Sequence, residues 1–189
     1  MEYINRKELE LINEVSMLWI QHSEWIRMVF VSIIFKTPDK EAAIFRFLRN
    51  LADFAYFLRV FYEDNVAFRF SDLLTENLSL ARNLVEYTML GDTKAAEKTN
   101  EKLYKNADEI SHLLSSINPY WHYESWRAML YIYLDMVKTM TGEMIDGNYR
   151  ESINIYDKLE REVMVMAEIM YNGILKQFPY KFCKNKLLG

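Results

Sequence analysis

Three histidines occur in this sequence, and two of them stand where chemistry could be done. His22 lies in Trp19-Ile-Gln-His22-Ser-Glu-Trp25, three residues from a tryptophan on either side. At helical spacing it shares their apolar face, where it is either a hydrogen-bonded core histidine or a metal ligand. His112 closes Glu109-Ile-Ser-His112, the only Glu-x-x-His of the chain. That spacing sets both side chains on one face of a helix, as in carboxylate-bridged di-metal bundles, which take such a pair from each of two helices. Asp157-Lys-Leu-Glu160 repeats the spacing with carboxylates alone. His22, Glu76, His112, Asp157 and Glu160 are therefore the candidate ligands for iron or zinc. A catalytic metal needs several of them to converge, and convergence depends on how the helices are rotated.

A second pattern joins tryptophan to arginine. Arg27 follows Trp25, and Arg127 follows Trp126. A guanidinium fork suits a carboxylate or phosphate, so Trp25, Arg27, Trp126 and Arg127 are the candidate binding residues for a small acidic ligand. The structural alternative is an arginine laid on an aromatic ring and paired with an acid of the chain itself. Aromatic residues make up 15% of the chain, and seven of them fall between Phe45 and Tyr62. They could line an apolar pocket or a dimer seam, besides filling a core.

Other chemistry is missing from the sequence. The glycines stand at 91, 142, 147, 173 and 189, so neither a dinucleotide fingerprint nor a phosphate loop can be drawn. No G-x-S-x-G elbow occurs. A net charge of −4 argues against a broad nucleic-acid face. The single cysteine, Cys183, fits a reducing compartment. The charged N-terminus does not read as a signal peptide, and the apolar run Met28 to Phe35 is too short to span a bilayer. A soluble, cytoplasmic protein without membrane or nucleic-acid partners is expected.

The elements that must position these residues are helices. Apolar residues recur at three and four throughout, as in Leu11, Val15, Leu18, His22, Trp25 and Val29. Breaks fall at Thr37-Pro38-Asp39, Gly91-Asp92, Asn118-Pro119, Gly147-Asn148 and before Pro179. The expected helices run from Lys7 to Phe35, Lys40 to Tyr62, Ala67 to Leu90, Thr93 to Ser116, Glu124 to Asp146 and Arg150 to Gln177. Short loops force antiparallel neighbours, so the fold expected is all-α: six long helices in three αα-hairpins. Residues 1–179 form one helical-bundle domain in this reading, and 180–189 a basic tail. At an offset of 56, Leu74 falls on Leu130, Leu78 on Leu134, Gly91 on Gly147 and Leu103 on Leu159. The last two hairpins therefore read as a duplication. The first hairpin fits less well, yet His22 stands 55 residues before Asn77, itself 56 before Tyr133, so the three read as equivalent and should meet in one layer.

The chain resembles a family of small bacterial helical proteins of unknown function, some bearing the label acetylglutamate kinase. The resemblance covers about residues 18 to 179. It is carried by Trp19-x-x-His22-x-x-Trp25-x-Arg27, Asn50-x-x-Asp53-Phe54-Ala55, Leu74-Thr-Glu-Asn-Leu78 and Gly91-Asp92. It continues in Tyr104-Lys-Asn-Ala-Asp-Glu-Ile110, Ser116-Ile-Asn-Pro-Tyr-Trp121, Trp126-Arg127, Tyr156-Asp157 and Lys176-Gln-Phe-Pro179. Relatives of this kind often have histidine where this chain has Asn77 and Tyr133, which implies a metal centre of ferritin-like or hemerythrin-like type in the family. This chain keeps one histidine of the three. The function expected is therefore a non-catalytic bundle that binds a small apolar or acidic ligand or forms a homodimer, without a cofactor. The alternative is a metal-binding bundle with a partly lost histidine site.

Overall fold

The structure, a computed structural model, describes residues 5–182. Its helices are α1 (Arg6–Ile34), α2 (Lys40–Leu58), α3 (Asp64–Leu90), α4 (Thr93–Ile117), α5 (Tyr123–Ile145), α6 (Tyr149–Gln177) and the single turn α7 (Pro179–Phe182). Helix makes up 88% of the described residues, and none of them is in a strand. The fold is all-α.

Local chemistry sets the boundaries. A capping box opens α1: Glu8 N donates to Asn5 Oδ1 at 3.1 Å, and Asn5 N donates to Glu8 Oε2 at 2.8 Å. Gly91 at φ 72° ends α3, and Gly147 at φ 80° follows α5. Both take the left-handed conformation that a Cβ disfavours. Asp92 Oδ1 then caps α4 by accepting from Ala95 N at 3.0 Å. The helices α4 and α6 start at Thr93 and Tyr149, on the 56-residue register.

The connection between α2 and α3 departs from expectation. α2 stops at Leu58, not Tyr62, and α3 starts at Asp64, not Ala67. No proline or glycine marks this break; packing causes it. Phe61 leaves the helix to meet Phe178, and Tyr62 meets Trp121 and Phe178, all with ring centroids 5.5–5.6 Å apart. Arg59 closes the turn with a two-pronged grip on Asp64 at 2.8 and 2.9 Å.

Each helix packs on the next in sequence, and α6 returns to α1, which also touches α3 and α5. The result is a closed antiparallel bundle whose core runs along its whole length, from Leu11 and Phe182 at one end to Ile33 and Met144 at the other. The run Ser116-Ile-Asn-Pro-Tyr-Trp121 knits the first of these ends. Asn118 Nδ2 donates to Tyr62 Oη at 3.0 Å, and Tyr62 Oη donates to Gln177 Oε1 at 2.9 Å. Gln177 Nε2 returns to Ile117 O at 2.9 Å. Trp121 is buried with its Nε1 on Ile169 O at 3.1 Å. A Cβ at Gly173 would sit 2.0 Å from that indole nitrogen, so the tryptophan requires the glycine.

The bundle extends past the boundary expected at position 180. Phe182 is buried against Phe61, its carbonyl accepts from Asn5 Nδ2 at 2.9 Å, and Lys181 Nζ donates to Val60 O at 2.9 Å. Residues 180–182 thus belong to the bundle. Cys183 and the lysines at 184 and 186 lie outside the described residues, as does the start of the chain at 1–4.

Candidate functional site

Two of the places where polar groups meet apolar walls hold residues singled out in the sequence. The first is a chamber in the bundle interior, lined by His22 and Ile26 of α1, Phe47 of α2, Leu74, Asn77, Leu78 and Ala81 of α3, and Tyr133, Leu134 and Val137 of α5. The three positions equivalent on the repeat register do share one layer, and the His22 and Tyr133 rings lie 5.7 Å apart. The room open to the centre of a water-sized sphere is about 10 Å³, which suits a single water. His22 Nδ1 and Tyr133 Oη are buried here without a hydrogen-bond partner among the described residues. Asn77 is held by Asn106, whose Oδ1 accepts from Asn77 Nδ2 at 2.9 Å. Asn106 Nδ2 in turn donates to Leu73 O at 3.1 Å and Glu76 Oε2 at 3.3 Å.

Burial decides the charge state of this layer. It lowers His22 to a pKa of about 4, against a smaller opposing pull from Asn50, so the imidazole is neutral at pH 7. Burial, helped by the negative charge Tyr156 would carry, pushes the Tyr133 phenol far above its usual range. A carboxamide and a protonated phenol are poor ligands for a cation, which leaves the neutral imidazole as the one good donor of this layer. The other proposed ligands are elsewhere and exposed. His112 stacks on Tyr123 at 4.2 Å, and its neighbour Glu109 pairs with Arg69 at 3.2 Å. Glu76 accepts from Asn106 Nδ2 alone among the described residues. Asp157 and Glu160 line an open groove with Ile20, Arg161 and Met164. Among the described residues no three His, Cys, Asp or Glu side chains come together to hold a metal. The set His22, Glu76, His112, Asp157 and Glu160 does not converge.

The second place is a cleft at the other end of the bundle, where α1 ends, α5 ends and α6 begins. Arg27, Val31, Phe35, Met144, Tyr149, Ser152 and Ile153 line about 400 Å³. Phe35 and Tyr149 meet edge to face at 5.6 Å and form its lip, both half exposed. The Ser152 hydroxyl is already committed to Met140 O at 3.0 Å. Arg27 is the cation of this cleft. Its Nε is buried without a partner, its guanidinium lies 5.2 Å over the Tyr156 ring, and it makes no ion pair among the described residues. Beyond Tyr149 the surface presents Glu143, Arg150 and Glu151.

The two Trp-Arg pairs come apart in the fold. Trp25 carries Arg46 on its ring at 5.0 Å, not Arg27. Trp126 is wholly buried and stacks on Trp19 at 6.2 Å. One residue on, Arg127 points outward, donates from Nε to Asp108 at 2.9 Å and lies 4.7 Å over Tyr131. The hydrogen bonds to Asp108 and Tyr131 raise its pKa, and the pair is about one-third exposed rather than interior. Arg127 has found its acid; Arg27 has not. Sequence reasoning missed Phe35 and Tyr149, which stand at helix ends where periodicity carries no information. It also passed over Asn106, although an asparagine in step with Leu103 and Ile110 is a readable sign of a buried amide.

No family model, no curated protein and no solved structure matches the chain. Among the described residues no helix is long and apolar enough to cross a membrane.

Proposed function

We propose that this protein is a non-catalytic binding module that takes a small monocarboxylate with an apolar body into the cleft at Arg27. The observation that carries this reading is a half-buried guanidinium with no acid paired to it among the described residues, set in a wall of Val31, Phe35, Met144, Tyr149 and Ile153. A cleft of this size and lining is typical of small-molecule sites, and the planar fork accepts a carboxylate through paired hydrogen bonds. The acids at 143 and 151 outnumber the one cation beside them, which disfavours a second negative group on the ligand. The cleft's one serine hydroxyl, on Ser152, is tied to Met140 O, and no histidine or carboxylate lines the cleft beside it, so binding without turnover is the economical role.

Titration calorimetry with octanoate, against octanol and octylamine as controls, tests the reading. Octanoate should bind and both controls should not, and Arg27→Met should weaken octanoate at least about tenfold through loss of the charge-assisted pair. Equal affinity for octanoate and octanol, or no effect of Arg27→Met, would remove Arg27 from the account.

A second reading, a bundle descended from metal-binding relatives, is supported by one observation: His22, Asn77 and Tyr133 share the interior chamber. It fits the resemblance set out above, with two of three imidazoles replaced by groups that leave the site without a charge or a strong donor set.

A further inference from the structure

The outward face of α2 carries a row of residues that fits a second copy of itself. Phe45, Arg49, Ala52 and Tyr56 stand at steps of four, three and four, so they form one stripe along the helix. Phe45 is 73% exposed and Tyr56 59%, and Leu48 flanks the stripe at 37%. These are large apolar surfaces to leave in water on one helix, while Phe47, Leu51, Phe54 and Leu58 fill the core from its opposite side. Arg49 and Asp53, one turn apart, form no ion pair with each other or with any other described residue. By contrast, nearby Arg59 holds Asp64, and Arg46 is taken up by Gln21 and Trp25.

We infer that this stripe is the seam of a homodimer in which α2 packs antiparallel on α2 of a second copy. A two-fold axis beside the helix midpoint, between residues 50 and 51, brings Phe45 against the second copy's Tyr56 and Arg49 against its Ala52. The same operation sets Arg49 beside Asp53 of the second copy, because both lean to the same side of the stripe. Each contact occurs twice, as an isologous interface requires. Ala52 lets the two helices approach closely near the axis, the Arg49–Asp53 pairs run along one side of the seam, and a Phe45–Tyr56 contact closes each end. Charge complementarity selects the partner: a stripe bearing one unpaired arginine and one unpaired aspartate is neutral and self-complementary only when antiparallel.

Sedimentation equilibrium on the full chain, with circular dichroism to confirm folding, tests this by charge exchange. The wild type should be a concentration-dependent dimer. Arg49→Asp and Asp53→Arg should each raise the dissociation constant about tenfold or more, because like charges then face each other twice. Mixing the two variants should restore a one-to-one dimer, since the aspartates at 49 and 53 of one chain now face the arginines of the other. A monomeric wild type overturns the proposal. So does a dimer indifferent to both substitutions, or a mixture that fails to regain what each variant lost.

Discussion

Burial changes the chemistry of His22, and pH reads that change. Its folded pKa of about 4 lies below the unfolded value near 6.5, so between them the unfolded chain binds the extra proton. Stability therefore rises with pH through that window and is lost as pH falls from about 6.5 to 4, by roughly 3 kcal/mol from this group alone. Chemical denaturation across pH 4–7 should show a slope for the wild type that is flatter in His22→Gln. Equal slopes would mean that the imidazole is hydrated. At Tyr133 the buried hydroxyl has no hydrogen-bond partner among the described residues, so Tyr133→Phe should leave stability unchanged or raise it. The convergence of this layer has a further consequence. The double change Asn77→His and Tyr133→His should set three imidazoles around one chamber and create zinc affinity that stabilises the fold. Calorimetric titration with zinc that shows no gain over wild type, in a folded double variant, would sink the idea of a shared layer of donors.

Helix-scale packing makes opposite demands on two glycines. Gly142 in α5 has nothing within 4 Å of where a Cβ would be, whereas that of Gly173 in α6 would strike the Trp121 indole. Gly142→Ala should stabilise by about 0.5–1 kcal/mol, the usual gain in a helix interior. Gly173→Ala gains the same backbone preference but displaces a wholly buried tryptophan, for a net loss of about 1–2 kcal/mol. Thermal melts of the two variants should move in opposite directions; a shared direction would contradict the Trp121–Gly173 contact. The elements themselves were legible before the fold was known, since periodicity and the caps at Gly91-Asp92 and Gly147 act locally. What escaped was decided by distant partners. α2 ends early because Phe61 and Tyr62 have Phe178 and Trp121 to meet, and Phe182 is drawn in by Phe61 from more than a hundred residues away.

At the scale of the whole molecule, the closed order α1 to α6 explains why candidate sites read along single helices did not all survive. The repeat register located His22, Asn77 and Tyr133 correctly, because equivalent positions in stacked hairpins must face the same interior. Glu109-x-x-His112 and Asp157-x-x-Glu160 share helix faces as expected, yet those faces are turned to solvent. Rotation of a helix about its axis is set by the whole core, not by a four-residue spacing. The same logic separates the two arginines: both follow a tryptophan, but only Arg27 ends in an apolar cleft without an acid. The most direct measurement of that difference is a ¹H–¹⁵N correlation spectrum that resolves the Arg27 Nε–H, followed during titration with octanoate. The account predicts saturable movement of that resonance together with the amides of Val31, Phe35, Met144, Tyr149 and Ile153, and none at Arg127. An unmoved Arg27 Nε–H, or shifts centred on any other surface, would contradict it.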